Sequence, residues 1–529
     1  MIIALALTSL TLYLAYRWSV ATFDYFERRR VPFVKPVPLF GTMWPFVRGW
    51  MNTTDCVSEG YRLFRGSRFS GQFTFRKPGY LIHDLELVKE ITVKDFDHFV
   101  DHSFTFSPEL DPLMGRALIF TDGNRWKRGR SGLSPAFTGS KMRNMFELIT
   151  NYSDRAMKRI WESANGGKIE REMRDLFQRL GHDVITSISF GADVDSIGEP
   201  DNELFQYCKR LTATNGIAGF KFFLATLLPE QLFIWLNVKL VPTDVAAFYE
   251  SIVSNTIKNR VEKGLFRPDF IQLLMQARKN LLQQDRKDSE LSNVGFSTVE
   301  EHLQTTNETP MKWTDLDITA TAASFFFGGI ETTATLLSFA VYEISLNSDI
   351  QDKLQQEIDS IQAGLGNNLL TYESVQSMKY LDMVVTETLR LWPPLGVLDR
   401  KCTRNFVMQD NNGTQVTVEK GTVLQIPVQS IHRDPQYYPD PMKFDPERFS
   451  EENRHTINKN AFLPFGAGPR NCIGSRLALM QSKCFLYYLL RYFRVEISSK
   501  TDVPIQVDKR ALLLSASNGF WFHLVPRNA

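Results

Sequence analysis

Residues 465–474 read FGAGPRNCIG. Glycine and proline are the weakest formers of helix and strand alike, so this stretch must be a tight loop. Glycines packed around one cysteine also let the backbone come close to something flat or bulky. The next residues, SRLALMQSKCFLYYLLRYF, read as a helix. Cys472 then lies near a helix N-terminus, where the dipole and free N–H groups favour thiolate over thiol.

A second constraint comes from Trp313–Asn347, WTDLDITATAASFFFGGIETTATLLSFAVYEISLN. Thr314 with Asp317 predicts a capping box, and Asp315 adds negative charge at the same end. Apolar residues follow on most sides, so the helix is buried. At ~1.5 Å per residue it runs on the order of 50 Å, across a whole domain. Its middle is weak. Gly328 and Gly329 each cost about 1 kcal/mol relative to alanine, and Glu331 is expensive among apolar neighbours unless paired or neutral. Thr332 can hydrogen-bond the Gly328 carbonyl and loosen the turn. A tolerated kink in a core helix explains any one of these features. Their coincidence points to a place where a ligand presses against backbone.

Charged pieces recur at helical spacing. TETLRLWPP sets Glu387 and Arg390 three residues apart, and the helix must stop before Pro393. FDPERF brings Arg448, a second arginine able to share Glu387. RWKRGR sets Trp126 and Arg130 four apart, so both can donate to one anion. Read alone, each fragment is equally a solvated charge face.

The first sixteen residues, MIIALALTSLTLYLAY, are apolar, and Arg17 then Arg28–Arg30 follow. The run is slightly short of the ~20 residues that span a bilayer, but Arg17 beside Trp18 can snorkel. A cleaved signal peptide is the rival reading; it lacks a basic start and a clean cleavage site. Charges after the segment predict that the rest faces the cytosol, and glycans at Asn52, Asn151, Asn307 or Asn412 would contradict this. Residues 1–20 thus read as a membrane anchor, 21–41 as a basic, proline-rich hinge that sets its distance from the body, and 42–529 as one catalytic domain. Helical patterns dominate, with β-type stretches at 69–83, 415–428 and 520–526. The polar stretch 281–310 reads as an exposed connection. Residues 217–240 are too apolar for a loop; they read as core helix or, preferably, as a second membrane contact. A net charge of +2 gives no global reason to expect nucleic acid. Five cysteines without paired spacing argue against a disulfide framework.

What Cys472 holds can be narrowed. A nucleophile wants a base, yet the closest histidines in sequence are His455 and His432. Structural zinc wants three or four protein ligands. One thiolate in a glycine-rich loop suits the iron of a porphyrin. Phe465, Gly468, Arg470, Cys472 and Gly474 resemble the cysteine loop of the cytochromes P450, the haem-thiolate monooxygenases. GGIETT resembles their oxygen-binding groove, Glu387, Arg390 and Arg448 their Glu-Arg-Arg triad, and Trp126 with Arg130 their WxxxR helix. FDHFVDH at 96–102, LSPAFTGSKMRNMF at 133–146 and FFFGGIETTAT are similar to insect microsomal members, closest to insect family 9, in the clan that holds vertebrate drug-metabolising enzymes.

The resemblance implies a mostly α fold with small β-sheets, a triangular helical prism behind one N-terminal transmembrane anchor in the endoplasmic reticulum membrane. It implies haem b on Cys472, Phe465 shielding the sulfur, and proton delivery by Thr332 and Glu331. O2 is the co-substrate, and NADPH acts through a separate reductase docked on a basic patch near Lys127, Arg128 and Arg476; cytochrome b5 is an optional second donor. An arginine that some relatives carry near Val397 is absent, so the haem propionates would rest on Trp126, Arg130 and Arg470. The implied substrate pocket comprises Phe104, Phe106, Phe120, Phe325, Phe326, Ile330, Leu395, Val397 and Leu514. Such a pocket suits lipophilic xenobiotics, including plant toxins and insecticides. A specific endogenous lipid, hormone or pheromone precursor is the alternative, and an O2-independent haem-thiolate isomerase the less favoured one.

Overall fold

Helices carry most of the chain in the computed structural model, which describes residues 1–213, 216–279, 295–298, 311–511 and 513–527. The stretch 281–310, except for 295–298, and sequon Asn307 therefore lie outside the described residues. Among the described residues, nine short strands form three sheets. These are β1 (Phe69–Thr74), β2 (Lys77–Ile82), β3 (Ile169–Glu172), β4 (Leu398–Lys401), β5 (Phe406–Gln409), β6 (Gln415–Val418), β7 (Val423–Ile426), β8 (Phe493–Ile497) and β9 (Trp521–Pro526). The orders are β1-β2-β7-β4, β3-β9-β8 and β5-β6. Of the ladders between these strands, β2–β7 is parallel and the rest are antiparallel. The expected β stretches correspond to β1–β2, β6–β7 and β9. Strands β3, β4, β5 and β8, of four or five residues each, fall outside the stretches expected from the sequence.

The capping box predicted for the long helix is present: Thr314 Oγ1 accepts from the Asp317 N–H at 3.1 Å, and Asp317 Oδ2 from the Thr314 N–H at 3.0 Å. The helix divides at Ile330 into Asp315–Gly329 and Glu331–Leu346. Its middle is thus broken where two glycines and an acid weaken it. Its residues sit in the large helical core with the helices Met173–Phe190, Lys379–Leu391 and Ser475–Tyr492. A second core joins β1, β2, β6 and β7 to the N-terminal segment.

The helix Ile2–Val20 is exposed along almost its whole length. The segment after it is packed as well as extended. Phe26 is fully buried against Gly71, where even a methyl group would lie 2.5 Å from its ring. Tyr25 and Arg29 both bond Glu419, and the Arg76 guanidinium lies 3.8 Å from the centre of the Trp18 ring. Docking, not proline stiffness alone, therefore fixes how the first helix leaves the body.

Candidate active site

The Cys472 loop is held from four sides. The Cys472 N–H donates to the Phe465 carbonyl at 2.8 Å, closing the turn that Gly466 and Gly468 make with positive φ. Arg130 donates to the Asn471 carbonyl at 2.9 Å and to its Oδ1 at 2.6 Å. Arg470 donates to the carbonyls of Val100 and Thr121, both at 2.7 Å, and lies 4.2 Å from the Trp126 ring centre. A Cβ on Gly468 would lie 1.7 Å from the Thr92 carbonyl, so only glycine lets the loop seat there. Gly468 thus lets the loop backbone pack against Thr92.

Against that rigid frame, Cys472 itself is left uncovered by protein. Its thiol nevertheless lies deep in the body. Burial pushes it above its ordinary value, while the Gly474 N–H and the Arg130 charge pull it down. The expected helix-terminus effect is present, but desolvation outweighs it. A Cβ on Gly474 or on Gly328 would meet no atom within 4 Å. The cysteine loop and the broken helix therefore each leave a bare surface in a packed interior.

The two groove glycines do different work. Gly328 faces open space, so an alanine would fit there. A Cβ on Gly329 would lie 3.3 Å from Ile185 Cδ1, so Gly329 brings the helix Met173–Phe190 close. Thr332 Oγ1 donates to the Gly328 carbonyl at 2.6 Å, as its spacing predicts. Glu331 pairs with Arg174 at 3.0 Å and accepts from Gln178 at 2.8 and 3.0 Å.

The family resemblance implies that Trp126, Arg130 and Arg470 bind haem propionates. In the structure Arg130 and Arg470 also use hydrogen bonds to tie down the loop. The residue that sequence reasoning misses is Arg400, on β4, three positions beyond Val397. It is almost fully buried and donates to the Asp399 and Ala467 carbonyls at 2.8 and 3.3 Å. Its buried Nε has no partner among the described residues. Burial draws Arg400 down to about 10 and Arg470 to about 9, the latter helped by repulsion from Arg400. Clustered cations with an orphaned donor fit carboxylate groups of an incoming ligand. The signal is there as an arginine in the short stretch LDRK, but only strand pairing turns it inward.

Glu387 and Arg390 are fully buried and pair at 2.6 and 2.8 Å. Burial raises the Glu387 carboxyl, and Arg390 opposes this. Arg448 Nε lies 3.5 Å from Glu387, but its hydrogen bonds go to the Pro439 and Asp440 carbonyls.

The pocket set divides. Phe104, Phe106 and Phe120 form an aromatic cluster with Phe222 and Phe327, at centroid distances of 5.3–6.2 Å. Phe326 does not belong: it packs on His182, Phe190 and Tyr249. Ile330, one turn on, shares that face and lies beside Gly181. Phe325 turns to Phe137 and Phe270. Consecutive helical residues point about 100° apart, so only one of three phenylalanines reaches the cluster, and it is Phe327. Leu514 is buried in the large core, Val397 packs on the sheet core, and Leu395 is 41% exposed.

Together these features fit a haem: a bare thiol, a glycine-opened surface beside it in the loop, and buried cations for its carboxylates. The family described as Cytochrome P450 matches residues 31–522. The chain is 40% identical to Cytochrome P450 9e2 of Blattella germanica, covering 99% of this chain and 97% of that protein. It is 38% identical to Probable cytochrome P450 9f2 of Drosophila melanogaster over 99% of both chains. With Cytochrome P450 3A9 of Rattus norvegicus it shares 34% identity over 95% and 93%. The resemblance carried by the five motifs thus extends along nearly the whole length, and the chain belongs to the cytochrome P450 family of monooxygenases.

Proposed function

We propose that this chain oxidises lipophilic small molecules, chiefly xenobiotics, with haem b bound through Cys472, drawing electrons from NADPH by way of a separate reductase. The observation that carries the reading is Cys472, bare on a loop whose neighbours Asn471 and Arg470 are locked by Arg130, Val100 and Thr121. When bound, the haem supplies reductive O2 activation and transfer of one oxygen atom to substrate, the other leaving as water. Arg400, with its free Nε, is the first choice to receive a propionate. Thr332 and Glu331 would serve proton delivery, Thr332 through the hydroxyl that donates to the Gly328 carbonyl and Glu331 as a carboxylate paired with Arg174. Phe104, Phe106, Phe120, Phe222 and Phe327 exclude water and grip apolar substrates without polar anchors.

Exposed apolar side chains support a membrane setting. Besides the helix Ile2–Val20, Ile217 and Trp235 are 78% and 80% exposed, with Phe220 and Leu236 nearby in sequence. Phe222 of the same helix, Gly216–Leu227, joins the aromatic cluster. One helix therefore touches both the pocket and a surface suited to lipid, which fits entry of greasy substrates from the bilayer. This supports the endoplasmic reticulum membrane as its location, with the body in the cytosol. A reductase would dock on the basic patch near Lys127, Arg128 and Arg476.

Replacing Cys472 with alanine should abolish the thiolate-specific Soret band of the reduced carbon monoxide complex. An unchanged band would refute the assignment. A panel of lipophilic compounds, scored by spin-state shift and product mass with reductase present, tests the substrate class.

A further inference from the structure

The Glu331 carboxylate is held by two donors one turn apart on the helix Met173–Phe190. Arg174 Nη2 lies 3.0 Å from Oε2, and Gln178 Nε2 reaches both oxygens. The other arm of the same guanidinium, Nη1, donates to Ser515 Oγ. Ser515 sits in the C-terminal loop, and its carbonyl accepts from the Asp508 N–H at 2.8 Å beside the bridge Val507–Ala516. Arg174 and Glu331 side chains are 22% and 15% exposed, so the pair is shielded from most solvent screening.

We propose that Arg174 is a positioning residue that couples the C-terminal loop around Ser515 to the acid Glu331. A guanidinium is a rigid planar fork, so its two arms move together. Displacing Ser515 drags or frees the arm on Glu331, and altering Glu331 loosens Ser515. Glu331 opens the second half of the broken helix, next to Ile330 and the glycine pair, where the backbone yields most easily. A ligand that presses on the loop therefore changes how tightly the carboxylate is held. The functional weight of this coupling rests on reading Glu331 as a proton-delivery residue.

The test is amide hydrogen exchange of residues 513–518 in the haem-loaded enzyme. Glu331→Ala and Arg174→Met should each speed exchange there roughly tenfold or more, the scale of a lost hydrogen bond to a charged group. Arg174→Lys, with one short donor cluster, should keep the pair with Glu331 but release Ser515, so exchange rises as in Arg174→Met. Unchanged exchange in Glu331→Ala overturns the coupling. Peroxide released per NADPH is read separately. If Glu331→Ala speeds exchange but leaves this ratio unchanged, the coupling stands and the proton-delivery reading falls. If the ratio changes and exchange does not, the reverse holds.

Discussion

Arg130 donates twice to Asn471, to its carbonyl at 2.9 Å and its side chain at 2.6 Å, one residue before Cys472. Bonds to a charged donor are worth about 1.5–3 kcal/mol each. Arg130→Ala should therefore lower the unfolding midpoint and release haem faster than Asn471→Ala, which removes only the side-chain bond. Haem-loss half-times, followed by absorbance, check the order. Equal half-times would show that the side-chain bond dominates.

Glu387 and Arg390 form a pair with no exposure on either side. Removing one partner strands the other charge in a dry interior, which costs about 3–5 kcal/mol. Glu387→Gln should show this loss in denaturant unfolding. Arg448→Ala should cost less, because Arg448 bonds backbone carbonyls and approaches Glu387 only at 3.5 Å.

Phe326 and Phe327 are neighbours in sequence with opposite fates. Phe326→Ala should cost about 3–5 kcal/mol of stability, as for a buried aromatic, and should leave the aromatic cluster intact. Phe327→Ala should cost clearly less and weaken aromatic ligands roughly tenfold, the scale of a lost ring contact. Thermal unfolding and spin-state titrations separate the two. A strong binding defect in Phe326→Ala would contradict these two ring orientations.

His83 and His432 are buried and neutral. Burial draws His83 down to about 4 and His432 to about 3, with Arg390 adding to the second. Their ordinary value is 6.5. Below it the unfolded chain takes up protons that the folded one refuses, so stability is full above 6.5 and falls as pH drops towards 4 and 3. Each histidine should cost about 2 kcal/mol between pH 7 and pH 5. Denaturant midpoints at the two pH values measure this. In His83→Phe the pH difference should shrink by about half of the two-histidine total; an unaltered slope would exclude His83 as a source.

Read as a string of residues, the chain already specifies its helix content, the capped and broken central helix, the Glu387–Arg390 pair and the loop that presents Cys472. These features are local: caps, i to i+4 spacing and glycine placement act within a few residues. Packing in three dimensions settles which way buried side chains turn and what long-range partners they meet. It turns Phe327 into the aromatic cluster and Phe326 away, because a helix face has meaning only once its neighbours are in place. It brings Arg400 inward through a four-residue strand, pairs Arg130 with Asn471, and joins Glu331 to Ser515 through Arg174. The Arg130–Asn471 and Arg174–Ser515 pairs span 341 positions of chain and Arg174–Glu331 spans 157, and no periodicity in one segment encodes what another will place beside it.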